Sequence, residues 1–152
     1  MNSLADHRFL LIESDSEVLL RHLEKWVPRV DDLGETVHEA DLFKFLMRCF
    51  PDVPMTAQYG IAKGRADIVI EDYHVLELKL GFTDVGEFDR CIGQLERYRQ
   101  KWVSKDRGAV YMIVIGESDP EFRSMLHHWI EEANSKYWTK KFFLVEKLGG
   151  QP

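Results

Sequence analysis

Apolar positions recur along the chain with two different periods, and the switches between them outline the elements. After Asp15 and Ser16, the residues Val18, Leu19, Leu20, Leu23 and Trp26 follow a helical spacing that Pro28 closes. A second helix is predicted from Asp32 through Phe50, with Glu35 in capping-box relation to Asp32 and with Pro51 and Pro54 as the stop. The period then drops to that of strands. Met55–Tyr59, Arg65–Ile70 and His74–Leu80 read as a β-meander with turns at Gly60–Gly64 and at Glu71-Asp72-Tyr73. Arg8 to Glu13 suits a further short strand ahead of all of these.

Beyond Gly81 the helical period returns. Asp84 and Glu87 can cap a long helix whose apolar stripe is Phe88, Ile92, Leu95 and Trp102. Ala109 to Ile115 is an unbroken apolar run between Gly108 and Gly116, as expected of a strand buried on both faces. Asp119-Pro120 opens a helix to about Asn134, because proline at the first helical position removes an N–H that has no partner there anyway. Lys141 to Leu148 reads as a last strand. Helix, three strands, helix, strand, helix, strand predicts an α/β fold in which helices flank a central mixed sheet. With no repeat or linker along residues 1–152, a single domain is expected.

Composition adds limits rather than identity. A chain of 152 residues with 45% hydrophobic content can bury a core without disulfides or a structural metal. Cys49 and Cys91 each stand alone in an apolar stretch, which argues against a disulfide framework and suits a reducing compartment. The apolar run Phe9-Leu10-Leu11-Ile12 is far too short for a membrane span or a signal core, so a cytoplasmic protein with no membrane partner is expected. The formal charge of −6 argues against coating nucleic acid by bulk attraction. It is compatible with carboxylates gathered around a divalent cation.

The candidate chemistry lies in the meander. In Val75-Leu76-Glu77-Leu78-Lys79-Leu80, Glu77 and Lys79 share one face of an otherwise apolar strand. Alone, that pattern also suits a solvated face carrying an ion pair of little worth. Asp67 interrupts the preceding strand, and its relation to Glu77 depends on the turn. A two-residue loop at Asp72-Tyr73 would set Asp67 against Leu78, whereas a three-residue loop sets it against Glu77, so an odd loop or a bulge is predicted. Two carboxylates that close repel unless a cation lies between them, and hard oxygen ligands suit Mg²⁺, with Mn²⁺ as a substitute. Glu39 falls in line with Phe43, Leu46 and Phe50 on a stripe expected to face the core, where a carboxylate needs a partner. On the long helix Gln94 and Tyr98 share a face that Lys101 and Lys105 continue, and Arg97, Arg99 and Arg107 crowd the same region.

Asp67, then Glu77-Leu78-Lys79, then Gln94 and Tyr98 resembles the PD-(D/E)XK nuclease superfamily, in the branch whose following helix carries a QxxxY motif, as in RecB-type and Holliday-junction-resolvase-like nucleases. The resemblance covers roughly Asp32 to Ile115. Ala66 stands where the name has proline, and the literal Pro51-Asp52 stops a helix instead of sitting in a strand. The resemblance implies an αβββαβ core of restriction-endonuclease type with additions at both ends, and metal-dependent hydrolysis of phosphodiesters, with DNA the favoured substrate. Asp67, Glu77 and the backbone carbonyl of Leu78 would hold Mg²⁺, with Glu39 binding directly or through water. Lys79 would orient or deprotonate the attacking water. Gln94 and Tyr98 would position a strand or a phosphate, with Lys63, Arg65 and Lys101 as further phosphate contacts. The acidic total implies weak, salt-sensitive binding, and so a homodimer or a partner protein to hold the substrate.

Other chemistries find no support. The chain has no GxxxxGK[ST], GxGxxG or GxSxG, and His38-Glu39 lacks the second histidine of HExxH. His127 and His128 are adjacent, so on a helix they diverge. Two rivals stand beside the nuclease: the same fold serving as a nucleic-acid or protein interaction module, and a structural domain whose acids form an ion-pair network.

Overall fold

The computed structural model describes residues 16–28, 34–61, 64–103 and 108–147. In chain order these form α1 (Ser16–Lys25), α2 (Glu35–Cys49), β1 (Met55–Ile61), β2 (Gly64–Ile70), β3 (His74–Leu80), α3 (Val85–Lys101), β4 (Ala109–Ile115), α4 (Pro120–Asn134) and β5 (Phe142–Lys147). The five strands make one mixed sheet in the order β1-β2-β3-β4-β5. The meander β1–β2–β3 is antiparallel, while β3, β4 and β5 are parallel and joined through α3 and α4. Among the described residues no helix is long and apolar enough to cross a membrane.

Alternation along the strands sorts the core into two layers. Ile70, Leu76, Leu78, Tyr111 and Ile113 pack with Leu19, Leu23, Leu42 and Leu46 of α1 and α2. Val69, Val75, Val110, Met112 and Val114 pack with Phe88, Leu95 and Tyr98 of α3 and Leu126 and Ile130 of α4. A sheet covered on both faces explains the unbroken apolar run of β4, all seven residues of which are buried. The sheet is thus flanked by helices on both sides, as the pattern of elements predicts.

Boundaries differ from expectation at two places. Helix α2 begins at Glu35 with Gly34 at its cap and no side-chain cap, while Asp32, the expected cap, lies outside the described residues. β1 runs on to Ile61 and β2 starts at Gly64, so the hairpin is longer than expected. The expected strand at Arg8 to Glu13 also lies outside the described residues. The cap of α3 is as predicted, with the Asp84 carboxylate accepting the Glu87 N–H at 3.0 Å.

Gly108 joins α3 to β4 where the backbone must pass close to the β2–β3 turn. Its φ is +82, and a Cβ there would lie 1.9 Å from the Tyr73 carbonyl oxygen, which accepts the Ala109 N–H at 2.9 Å. An L-residue at Gly108 meets both a left-handed conformation and a backbone clash, so β4 could not keep its register beside β3 without a shift. Gly108→Ala is expected to cost on the order of 3 kcal/mol or more. Thermal unfolding should show it as a Tm drop on the order of 10 °C for a chain of this size.

Candidate active site

The turn between β2 and β3 sets the geometry. Ile70 pairs with His74 across Glu71, Asp72 and Tyr73, so the loop is the three-residue loop that puts Asp67 in register with Glu77. Glu71 and Asp72 have φ of 54 and 59, and the Tyr73 N–H donates to the Ile70 carbonyl at 3.1 Å, which closes the turn. The β2–β3 ladder stops at Ile68↔Leu76, one residue short of the acids. The β1–β2 ladder also lapses at this level: Ala57↔Ile68 and Tyr59↔Ala66 pair, but Gln58, across from Asp67, has φ 55. Ala66 packs in the α3 layer whereas Ile68, two positions on, packs in the α2 layer. The strand is therefore twisted at Asp67, and β2 parts from β3 there.

Asp67 fills the mouth of this fork. Its carboxylate accepts the Leu78 N–H at 2.8 Å, replacing the bond a continued ladder would have supplied. The N–H and C=O of a strand residue point toward the same edge, so the Leu78 carbonyl also faces the fork. Glu77 is 2% exposed and projects toward α3, where the Tyr98 hydroxyl donates to it at 2.6 Å. Lys79 lies half-buried on the same face, with Nζ 4.0 Å from the Glu77 carboxylate.

Glu39 reaches the site from the opposite layer. The fully packed stripe of α2 is His38, Leu42 and Leu46, so Glu39 stands at the flank of the core-facing stripe, half-buried, and not on its centre line as its spacing suggested. From there it accepts a hydrogen bond from the Gln58 carboxamide and neighbours Asp67. Glu35, expected as a cap, instead accepts the Leu80 N–H at 3.2 Å and so ties α2 to the end of β3.

Two expected substrate contacts have internal work. Tyr98 belongs to the buried stripe Phe88, Cys91, Leu95, Tyr98, because those spacings of three and four keep it on the sheet side of α3. Besides Glu77, its hydroxyl approaches the Arg65 carbonyl at 3.3 Å. Gln94 donates to the same carbonyl at 3.1 Å and to the Tyr98 hydroxyl at 3.0 Å. The pair therefore clamps β2 to β3 and orients Glu77. The side chain of Arg65 is exposed beside the site, and Lys101 is exposed at the end of α3. Arg99 is turned away: it pairs with Glu96 at 2.7 Å, and Trp129 of α4 binds the same carboxylate. Lys63, Lys105 and Arg107 lie outside the described residues. The link from Gln58 to Glu39 was missed in sequence. The alternation of β1 against β2 could have placed Gln58 across from Asp67.

Burial and like charge govern the electrostatics. Removal from water, and then the Asp67 carboxylate, push Glu77 up to about 8, against the opposing pull of the Tyr98 hydrogen bond and Lys79. Glu39 is also raised, first by burial and then by Asp67, with the Gln58 bond working the other way. Burial and Glu77 together hold the Tyr98 phenol well above its usual range. Cys91, on the same face of α3, is pushed up to about 12 by burial, which leaves a thiol and no thiolate nucleophile. The cluster is thus a set of oxygen donors in which burial, and then the Asp67 charge, raise Glu77 and Glu39, a cost that a cation would relieve. Among the described residues, however, no three His, Cys, Asp or Glu side chains stand close enough together to close around a metal ion.

A raised carboxyl favours the folded state while it is protonated. Its stabilisation is complete below the ordinary carboxylate range, near 4.5, and is lost as pH rises through about 8. The groups facing Glu77 are Asp67 from β2, Lys79 from β3, and Cys91 and Tyr98 from α3. Glu77→Gln keeps an acceptor for Tyr98 without the ionisation. In EDTA, the variant and the wild type should be similarly stable near the acid end. Above that, the variant should gain by up to about 1.4 kcal/mol per pH unit until about pH 8, as read by denaturant unfolding. A constant difference at every pH would contradict the buried, proton-holding Glu77. Compared with protein-family models, curated proteins and solved structures, the chain matches none of them, so the reading of this site rests on its own residues.

Proposed function

We propose that the protein is a divalent-metal-dependent nuclease of the PD-(D/E)XK type that hydrolyses phosphodiester bonds, with DNA as the favoured substrate. The observation that carries this reading is the three-residue turn, which sets Asp67 in register with Glu77 at a fork in the sheet, with Lys79 on the same face and Glu39 brought in from α2. The donor set fits Mg²⁺ or Mn²⁺: two carboxylates, one of them raised by burial and by the other's charge, and a carbonyl facing the same opening. Asp67, Glu77 and the Leu78 carbonyl would hold the ion, and Glu39, whose carboxylate stands at the flank, would reach it through water. When bound, the cation would lower the pKa of a water and offset charge building on the phosphate oxygens.

The chain's own residues supply the remainder. Lys79 would orient the attacking water or, as the free amine, take its proton; the new P–O bond forms as the ester P–O bond breaks, and the departing oxygen takes a proton from solvent water. Tyr98 and Gln94 act one step back, holding the Glu77 carboxylate and the β2 backbone in place. Arg65 and Lys101, both exposed, would meet the phosphate backbone.

One observation favours a second reading. Three metal-binding side chains do not converge among the described residues. That would suit a nuclease-like domain that binds nucleic acid or protein without cutting. Incubation with single-stranded, duplex and branched DNA and RNA, in Mg²⁺, Mn²⁺ or EDTA, separates the two. Cleavage should require the metal and fall by at least roughly 100-fold in Asp67→Ala and in Lys79→Ala. Cleavage that survives either substitution or EDTA would refute the mechanism. Binding without cleavage of any substrate would favour the module.

A further inference from the structure

Gln58 has an unusual backbone that the proposed chemistry does not use. It lies exposed on β1 with φ 55, a left-handed conformation that is strained for a non-glycine residue. The distortion is confined to this residue, because Ala57↔Ile68 and Tyr59↔Ala66 remain paired on either side. At the same level β2 carries Asp67. The Gln58 carboxamide crosses to α2, where Nε2 donates to one oxygen of the Glu39 carboxylate. The structure thus shows a local strain and a side-chain contact from β1 to α2, both at one residue beside the acidic cluster.

We propose that Gln58 is a positioning residue that fixes the orientation of Glu39 toward the cation, and that its left-handed backbone persists because it delivers this bond. The inference rests on the metal-site reading of Asp67, Glu77 and Glu39. The chemistry suits the task. A neutral amide binds one carboxylate oxygen and orients the group, yet leaves its charge for a cation, whereas lysine or arginine at the same place would neutralise it. Glu39 is half-buried on a helix flank beside Asp67, and the Gln58 bond restricts how far its carboxylate can turn toward solvent.

Two variants test this. Gln58→Gly suits the backbone but removes the amide. Gln58→Asn tolerates the same φ but is one methylene too short to reach. Calorimetric titration with Mn²⁺ alone should show affinity reduced roughly 10-fold in both, as for loss of a group that orients a metal ligand. The metal-free Tm of Gln58→Gly should be unchanged or higher, which a merely structural role would not give. In a Glu39→Gln background, Gln58→Gly should have no further effect on Mn²⁺ affinity. If both variants bind Mn²⁺ like the wild type while Asp67→Asn loses it, the positioning role is overturned and the metal site stands. If the wild type takes up no Mn²⁺, or Asp67→Asn binds as well as the wild type, the site reading and this inference fall together.

Discussion

The turn at Glu71, Asp72 and Tyr73 is the constraint on which the acidic site depends. Side chains alternate along a strand, so the number of residues in that loop decides whether Asp67 meets Glu77 or Leu78. One residue fewer would send the carboxylates to opposite faces of the sheet. Maintaining the loop requires Glu71 and Asp72 in left-handed conformations, a modest cost that aspartate tolerates better than most. The neighbouring elements hold it in place: the Glu71 N–H donates to the Pro54 carbonyl, and the Tyr73 carbonyl accepts from Ala109 and from the Trp102 indole. Gly108 is needed where it is because β4 must begin against this same turn.

What the turn creates is a deliberate gap in the sheet. Past Ile68↔Leu76 the β2–β3 ladder ends, and the Asp67 side chain takes over a backbone donor. Burying Glu77 beside it is unfavourable for two ionised carboxylates, and the fold answers with a proton, a phenol and an ammonium. Tyr98 therefore serves both packing and charge: its ring fills the α3 layer and its hydroxyl holds the buried acid. The same arrangement ties α3 to β2, through Gln94 and the Arg65 carbonyl, so that helix, fork and acid are positioned as one unit.

Much of this was legible in the sequence, for identifiable reasons. Strand β3, helix α4 and the cap of α3 were readable because period, proline and capping chemistry are local. The parity of the turn was readable too, since it follows from counting residues between two acids. Less legible were the roles on the helices. Tyr98 and Gln94 look like a polar face when read along α3, and Glu35 looks like a cap. The side chains instead reach partners on β2 and β3, tens of residues away in the chain. Glu39 was identified as an acid of the site, but its place at the edge of the buried stripe depends on how α2 rotates against the sheet, which a spacing of three or four cannot resolve.

The sequence by itself determined the order of elements, the mixed sheet with helices around it, and the presence of Asp67, Glu77 and Lys79 on adjoining strands. These follow from hydrophobic period and turn length, which act over a few residues. Only the tertiary structure decided that β2 and β3 part at Asp67, that Tyr98 turns inward, that Glu96 binds both Arg99 and Trp129 of α4, and that Gln58 reaches Glu39. Each depends on which groups the packing of separate elements brings within hydrogen-bond distance. No local pattern carries that information, because the cost of an unpaired buried polar group is settled only once its neighbours are in place.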